Sequence, residues 1–141
     1  MHLCFGTKQA TSTAPLNSVA TSPATLRLDA EWCSKLDVTG KETVLHTFKG
    51  SPTDGEAPEG GVIHDGSGNF YGTTSSGGAY GYGTVFKLDK NGVVTLQYSF
   101  TGGADGAGPI GLIRDAAGNL YGTTIQGGRC HDCGVVFKLT P

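Results

Sequence analysis

The chain repeats itself, and the period sets what it can fold into. Residues 61–78 return as 111–128 at an offset of 50, with 11 of 18 positions identical. Gly83-Thr84-Val85-Phe86-Lys87-Leu88 returns as Gly134-Val135-Val136-Phe137-Lys138-Leu139 at an offset of 51. A partial copy precedes both: residues 35–48 align with 87–100 at an offset of 52, sharing Lys, Leu, Asp, Gly, Thr and Phe at matching places. A period of this length denotes stacked supersecondary units, each too small to bury its own apolar face. The drift in offset belongs to connecting loops, which tolerate an extra residue because the buried pattern holds strand register.

The segments between glycines read as strands. Gly is the commonest residue, 24 of 141, and after residue 35 no ten-residue stretch lacks Gly or Pro. A long helix would be broken repeatedly by that spacing. What remains is short and rich in Val, Ile, Thr, Tyr and Phe, as pleated strands require. The whole repeat offers four candidates, at 61–65, 69–74, 83–89 and 93–100, and the next repeat renews the first three at 111–115, 119–124 and 134–140. Asp65-Gly66-Ser67-Gly68-Asn69 and Asp115-Ala116-Ala117-Gly118-Asn119 supply hairpin turns, in which Asp bonds the backbone two residues on and Gly takes positive φ. Asn91-Gly92 is a strong hairpin signal between the third and fourth strands.

The expected fold is therefore all-β: antiparallel four-stranded meander repeats of the β-propeller blade type, about two blades, forming an incomplete ring. Residues 1–31 read as a low-complexity, disordered segment, because Ala, Ser, Thr and Pro dominate 10–25. Residues 32–141 form the repeat region, with a partial unit at 35–50, a full unit at 51–102 and an incomplete one at 103–141. The incomplete unit lacks a fourth strand after Pro141, and the strand at 41–48 is a candidate to lie there, beside 134–139.

The motif series Gly-Asn-Phe/Leu-Tyr-Gly-Thr-Thr, Gly-Gly, Gly-Thr/Val-Val-Phe-Lys-Leu and Tyr98-Ser-Phe-Thr-Gly-Gly-Ala-Asp-Gly106 resembles the GloVer (Gloeo/Verruco) tandem repeat. The resemblance covers residues 35–139 and implies a propeller-like repeat scaffold of the choice-of-anchor bacterial proteins, extracellular or at the cell surface. It implies no reaction and no catalytic residues. The chain itself shows no secretory signal, lacking a basic start followed by an apolar run, and no stretch approaches the length of a membrane span.

Candidate sites are few. Cys130-His131-Asp132-Cys133 offers two thiols and one His between two strands, short of the four ligands of structural zinc and away from the helix start that activates redox thiols. The favoured reading is a local Cys130–Cys133 disulfide. Cys4 and Cys33 show no evident partners. Asp54-Gly55 with Pro58 and Asp105-Gly106 with Pro109 recur as turns, since calcium needs six or more converging oxygens. Phe48, Phe86, Phe100, Phe137, Tyr71 and Tyr121 recur in step with the repeat and read as packing between sheets. Tyr80 and Tyr82 lie in a Gly-flanked loop without a repeated counterpart and are the candidate ligand contacts, suited to a glycan.

No catalytic, cofactor-binding or metal-binding residue is assigned. The net charge of −2 and the absence of a basic run give no footprint for nucleic acid. The leading expectation is a non-enzymatic structural or interaction module, its partners being copies of itself or neighbouring blades of a longer chain. The alternatives are a carbohydrate- or ligand-binding propeller, and a fragment of a propeller enzyme whose catalytic residues lie in other blades.

Overall fold

The structure, a computed structural model, describes residues 2–5, 32–36, 38–129 and 133–141. Ten strands and no helix form among them. They are β1 (His2–Phe5), β2 (Trp32–Leu36), β3 (Glu42–Thr47), β4 (Gly55–His64), β5 (Phe70–Gly77), β6 (Thr84–Leu88), β7 (Val94–Ser99), β8 (Ala107–Arg114), β9 (Leu120–Gln126) and β10 (Val136–Leu139). All ladders between strands are antiparallel. A seven-stranded sheet runs β3-β2-β1-β4-β5-β6-β7, a three-stranded sheet runs β10-β9-β8, and neither closes.

Two expectations change here. Strands β4 to β7 do lie side by side in chain order, but within the seven-stranded sheet rather than as a separate sheet of four. The join is one residue pair, Leu3 opposite Gly61. The strand at 41–48 does not complete the last unit. It is β3, and it pairs with β2. That choice is local: a short turn at 38–41 connects the two strands, so little loop entropy is lost. Strand β1 comes from the segment expected to be low-complexity, and the rest of that segment, 1 and 6–31, lies outside the described residues.

Register shows how closely the units copy one another. Strand β2 meets β3 with Trp32↔Thr47, Cys33↔His46, Ser34↔Val44, Lys35↔Thr43 and Leu36↔Glu42. Strand β6 meets β7 with Thr84↔Ser99, Val85↔Tyr98, Phe86↔Leu96, Lys87↔Thr95 and Leu88↔Val94. Every pair maps onto its counterpart at an offset of 52, and the bulge falls at the same place in both. The change of offset between the second and third units also has a location. Strand β4 carries its irregularity between Glu59 and Ile63, while β8 carries a shorter one between Ile110 and Leu112. Bulges absorb added residues in this way without disturbing the flanking ladder.

Two apolar clusters hold the sheets together. One gathers Cys33, Phe48, Phe86 and Leu88, with Leu45, Val62, Phe70, Val94 and Leu96 against them. The other gathers Val85, Phe100, Leu112 and Leu120, with Ile63, Tyr71, Tyr98, Phe137 and Leu139. Successive residues of β6 serve opposite clusters, Val85 one and Phe86 the other, as the two-residue period of a strand dictates. The glycine of each Tyr-Gly-Thr-Thr motif makes room for a phenylalanine. A Cβ on Gly72 would stand 2.6 Å from the Phe86 ring, and one on Gly122 would stand 2.5 Å from the Phe137 ring. The ring thus lies directly over its cross-strand glycine in both units.

Candidate functional site

The aspartates of the repeats are engaged in turns. Asp65 Oδ1 accepts the backbone N–H groups of Ser67 and Asn69 at 2.8 and 3.1 Å, and its Oδ2 accepts the Asn69 amide at 2.7 Å and the Tyr71 hydroxyl at 3.4 Å. Asp115 does the same work, taking the Asn119 N–H at 2.8 Å, the Asn119 amide at 2.7 Å and the Tyr121 hydroxyl at 3.0 Å. Gly68 and Gly118 hold φ of 90° and 91°, which lets each turn close. These donors favour the ionised carboxylate. The Asn69 amide, chiefly, brings Asp65 from 3.8 to about 2, and the Asn119 amide brings Asp115 to about 2. Burial and the neighbouring Asp65 charge raise the Tyr71 phenol in return.

A second aspartate clamp joins successive units. Lys49 N–H donates to Asp54 Oδ2 at 3.1 Å, and His46 Nε2 lies 3.0 Å from the same oxygen. One repeat later, Thr101 N–H donates to Asp105 Oδ2 at 2.9 Å, the Thr101 hydroxyl donates to Oδ1, and the Tyr98 hydroxyl donates to Oδ2 at 3.0 Å. Partial burial pushes the Asp105 carboxyl up, and the Thr101 and Tyr98 hydrogen bonds outweigh it and leave it lowered. Both aspartates therefore act as loop clasps, the turn role expected for them. Their partners His46 and Tyr98, and the hydroxyls of Tyr71 and Tyr121, escaped the sequence reading. The signal was present: Asp-to-Tyr spacing is the same at 65–71 and 115–121. Among the described residues no group of three or more His, Cys, Asp or Glu is placed to hold a metal ion.

Tyr80 and Tyr82 are exposed, at 61% and 49%. They are not equivalent. The Tyr82 ring lies on Gly102, where a Cβ would come within 2.8 Å of it, and its carbonyl accepts the Gly108 N–H at 3.0 Å. Tyr82 thus helps to set the start of β8, while Tyr80 stands out from the loop.

Cys33, which showed no partner in the sequence, is disulfide-bonded, buried in the first cluster, and faces Cys4 across the β1–β2 ladder. Cys133 is disulfide-bonded as well, and Cys130, His131 and Asp132 lie outside the described residues.

Strands β8–β10 carry a group of exposed apolar residues. Ile113 is 69% and Val136 80% exposed, and beside them a hollow of about 380 Å³ is floored by Leu112, Tyr121 and Gly122. The same positions one repeat earlier, Ile63, Tyr71 and Val85, are packed in the second cluster. Lys87 over the Tyr71 ring at 6.0 Å and Lys138 over Tyr121 at 5.5 Å complete the correspondence. Among the described residues no helix is long and apolar enough to cross a membrane.

No curated protein matches the chain, and no solved structure does. Residues 32–141 match the family model of the Gloeobacter/Verrucomicrobia repeat, and the chain belongs to that repeat family.

Proposed function

We propose that the chain is a non-enzymatic structural or interaction module, a run of propeller-type blades of a secreted or surface-attached protein, whose units stack face to face. One observation carries this reading. The Phe48 and Phe86 rings meet edge to face with centroids 5.0 Å apart and planes at 63°, and the Phe100 and Phe137 rings meet at 5.0 Å and 66°. Each pair joins a phenylalanine that follows the last strand of one unit to the third strand of the next. A contact that recurs with the sequence repeat is what a linear array propagates. The disulfide-bonded Cys33 and Cys133 suit an oxidising compartment.

Urea unfolding of Phe100→Ala tests it. The ring is fully buried between units, and its loss is expected to lower stability by about 3–5 kcal/mol. An unchanged midpoint would show that the units do not lean on one another, and the stacking reading would fail.

A second reading makes the chain a glycan binder through Tyr80 and Tyr82, supported by their exposure in a loop with no repeated counterpart. Titration against a panel of soluble oligosaccharides, with Tyr80→Ala as control, decides it: saturable binding abolished by the substitution supports it, and equal binding by both proteins removes it.

A further inference from the structure

Strand β10 has β9 on one side and, among the described residues, no strand on the other. Its counterpart β6 has β5 on one side and β7 on the other. The inner ladders are identical: Tyr71↔Lys87, Gly72↔Phe86 and Thr73↔Val85 in one unit, Tyr121↔Lys138, Gly122↔Phe137 and Thr123↔Val136 in the next. The outer edge of β10 therefore presents its backbone as β6 presents its own to β7. Beside it runs a groove of about 320 Å³, walled by Tyr98, Phe100 and Asp105 on one side and Val136, Phe137 and Leu139 on the other. One repeat earlier the positions equivalent to these walls are His46, Phe48, Asp54, Val85, Phe86 and Leu88. There, Val94 and Leu96 of β7 pack against Phe48, Phe86 and Leu88.

We propose that this groove is a strand-acceptor site, which takes an extended polypeptide segment adding antiparallel along β10. The segment carries aliphatic side chains at two alternate positions followed by an aromatic, the pattern of Val94-Thr95-Leu96-Gln97-Tyr98. Its first aliphatic residue stands opposite Leu139 and its second opposite Phe137, as Val94 and Leu96 stand opposite Leu88 and Phe86. Main-chain hydrogen bonds supply affinity in such strand addition, and the pockets for alternate side chains supply specificity. A second folded copy is the wrong donor, because the edges of its β3 and β7 that make this register are already taken by β2 and β6. The occupant is a segment not yet held in a sheet. The inference rests on the reading that the units repeat one module, and names what one of them binds.

The test uses the full chain and a fluorescent synthetic peptide with the sequence of residues 92–101. Saturable one-to-one binding is expected, with backbone amide shifts centred on Val136, Phe137, Lys138 and Leu139. A peptide carrying Asp in place of both Val94 and Leu96 is expected to bind at least about tenfold more weakly, since each lost aliphatic contact is a large part of a decade in affinity. Absence of saturable binding, equal binding by the two peptides, or shifts centred on β3 or β7 would each overturn the site. If the Phe100→Ala chain unfolds early yet the unmodified chain ignores the peptide, stacking stands and strand addition falls.

Discussion

Val85 and Val136 hold the same place in successive units. They pair with Thr73 and Thr123 in the same register, each follows a loop that ends in Gly, and each precedes Phe-Lys-Leu. Yet Val85 is fully buried and Val136 is 80% exposed. Nothing in the local sequence accounts for the difference. It comes from the neighbour: β8 to β10 cover the face that Val85 occupies, and no described residues cover the face of Val136 in that way. Burial in a repeat array is a property of the pair of units, so the same substitution in two copies should have two different costs.

The sharpest way to break that comparison is charge. Val85→Asp places a carboxylate among Phe100, Leu112 and Leu120 with no partner, and is expected to cost about 4 kcal/mol or more, enough to unfold a marginal domain. Val136→Asp should stay within about 0.5 kcal/mol, as exposed substitutions do. Circular dichroism melts of the two variants decide it. Similar losses would mean that the outer face is covered by something in solution.

Phenylalanine truncation comes next. Phe86 is fully buried and Phe137 half-buried, although both lie over a glycine and both meet a ring from the preceding unit. Phe86→Ala is expected to cost about 3–5 kcal/mol and Phe137→Ala about 1–2. The gap should narrow if the peptide of residues 92–101 completes the last sheet, because β7 is what shields Phe86 on that side.

How much of this was legible in the sequence follows from which residues repeat. The Asp-to-Asn hairpins and the alternation of Val85 and Phe86 recur as written, so turns and faces could be read directly. The pairing of β2 could not. Trp32, Cys33 and Ser34 share nothing with Thr84, Val85 and Phe86, yet they take the same partners through the same bulge. Register there is inherited from Lys35, Leu36 and the turn that follows, and a strand carries its neighbours along at fixed spacing. The first half of β4 was also missed, since Gly55, Pro58 and Gly60 look like turn residues; the bulge that accommodates them is a tertiary feature. The clasp on Asp54 was legible as a turn, but His46 was not, because its counterpart in the next unit is Tyr98 and identity is lost while the contact is kept.

A smaller effect sharpens the comparison at a backbone position. Ala57 takes φ of 55°, and its counterpart Gly108 takes 61°. Across the ladder Ser75 stands near Ala57, whereas Ile125 stands where a Cβ on Gly108 would come within 2.7 Å. Gly108→Ala should therefore cost about 2 kcal/mol, from left-handed backbone and crowding together. Adding Ile125→Ser should return about 1 kcal/mol of it, the crowding part. Additive losses in the double variant would show that the two units do not trade side-chain bulk at this site.

The smallest expected difference tests the opposite claim, that some parts of the two units are equivalent whatever covers them. The turns of Asp65 and Asp115 sit at exposed hairpins, each carboxyl is held near 2 by an asparagine amide and backbone N–H groups, and each unfolded carboxyl titrates near 3.8. A depressed folded value means stability that is present above about 3.8 and is lost as pH falls through about 2. Urea midpoints measured from pH 5 down to pH 2 should thus decline for the parent chain. Asp65→Asn and Asp115→Asn should each remove a similar share of that decline, because the donors of both turns come from within the hairpin and not from the neighbouring unit. If Asp65→Asn flattened the acid limb and Asp115→Asn left it unchanged, the turns would depend on their surroundings after all, and the division between local hairpin and shared face would have to be redrawn.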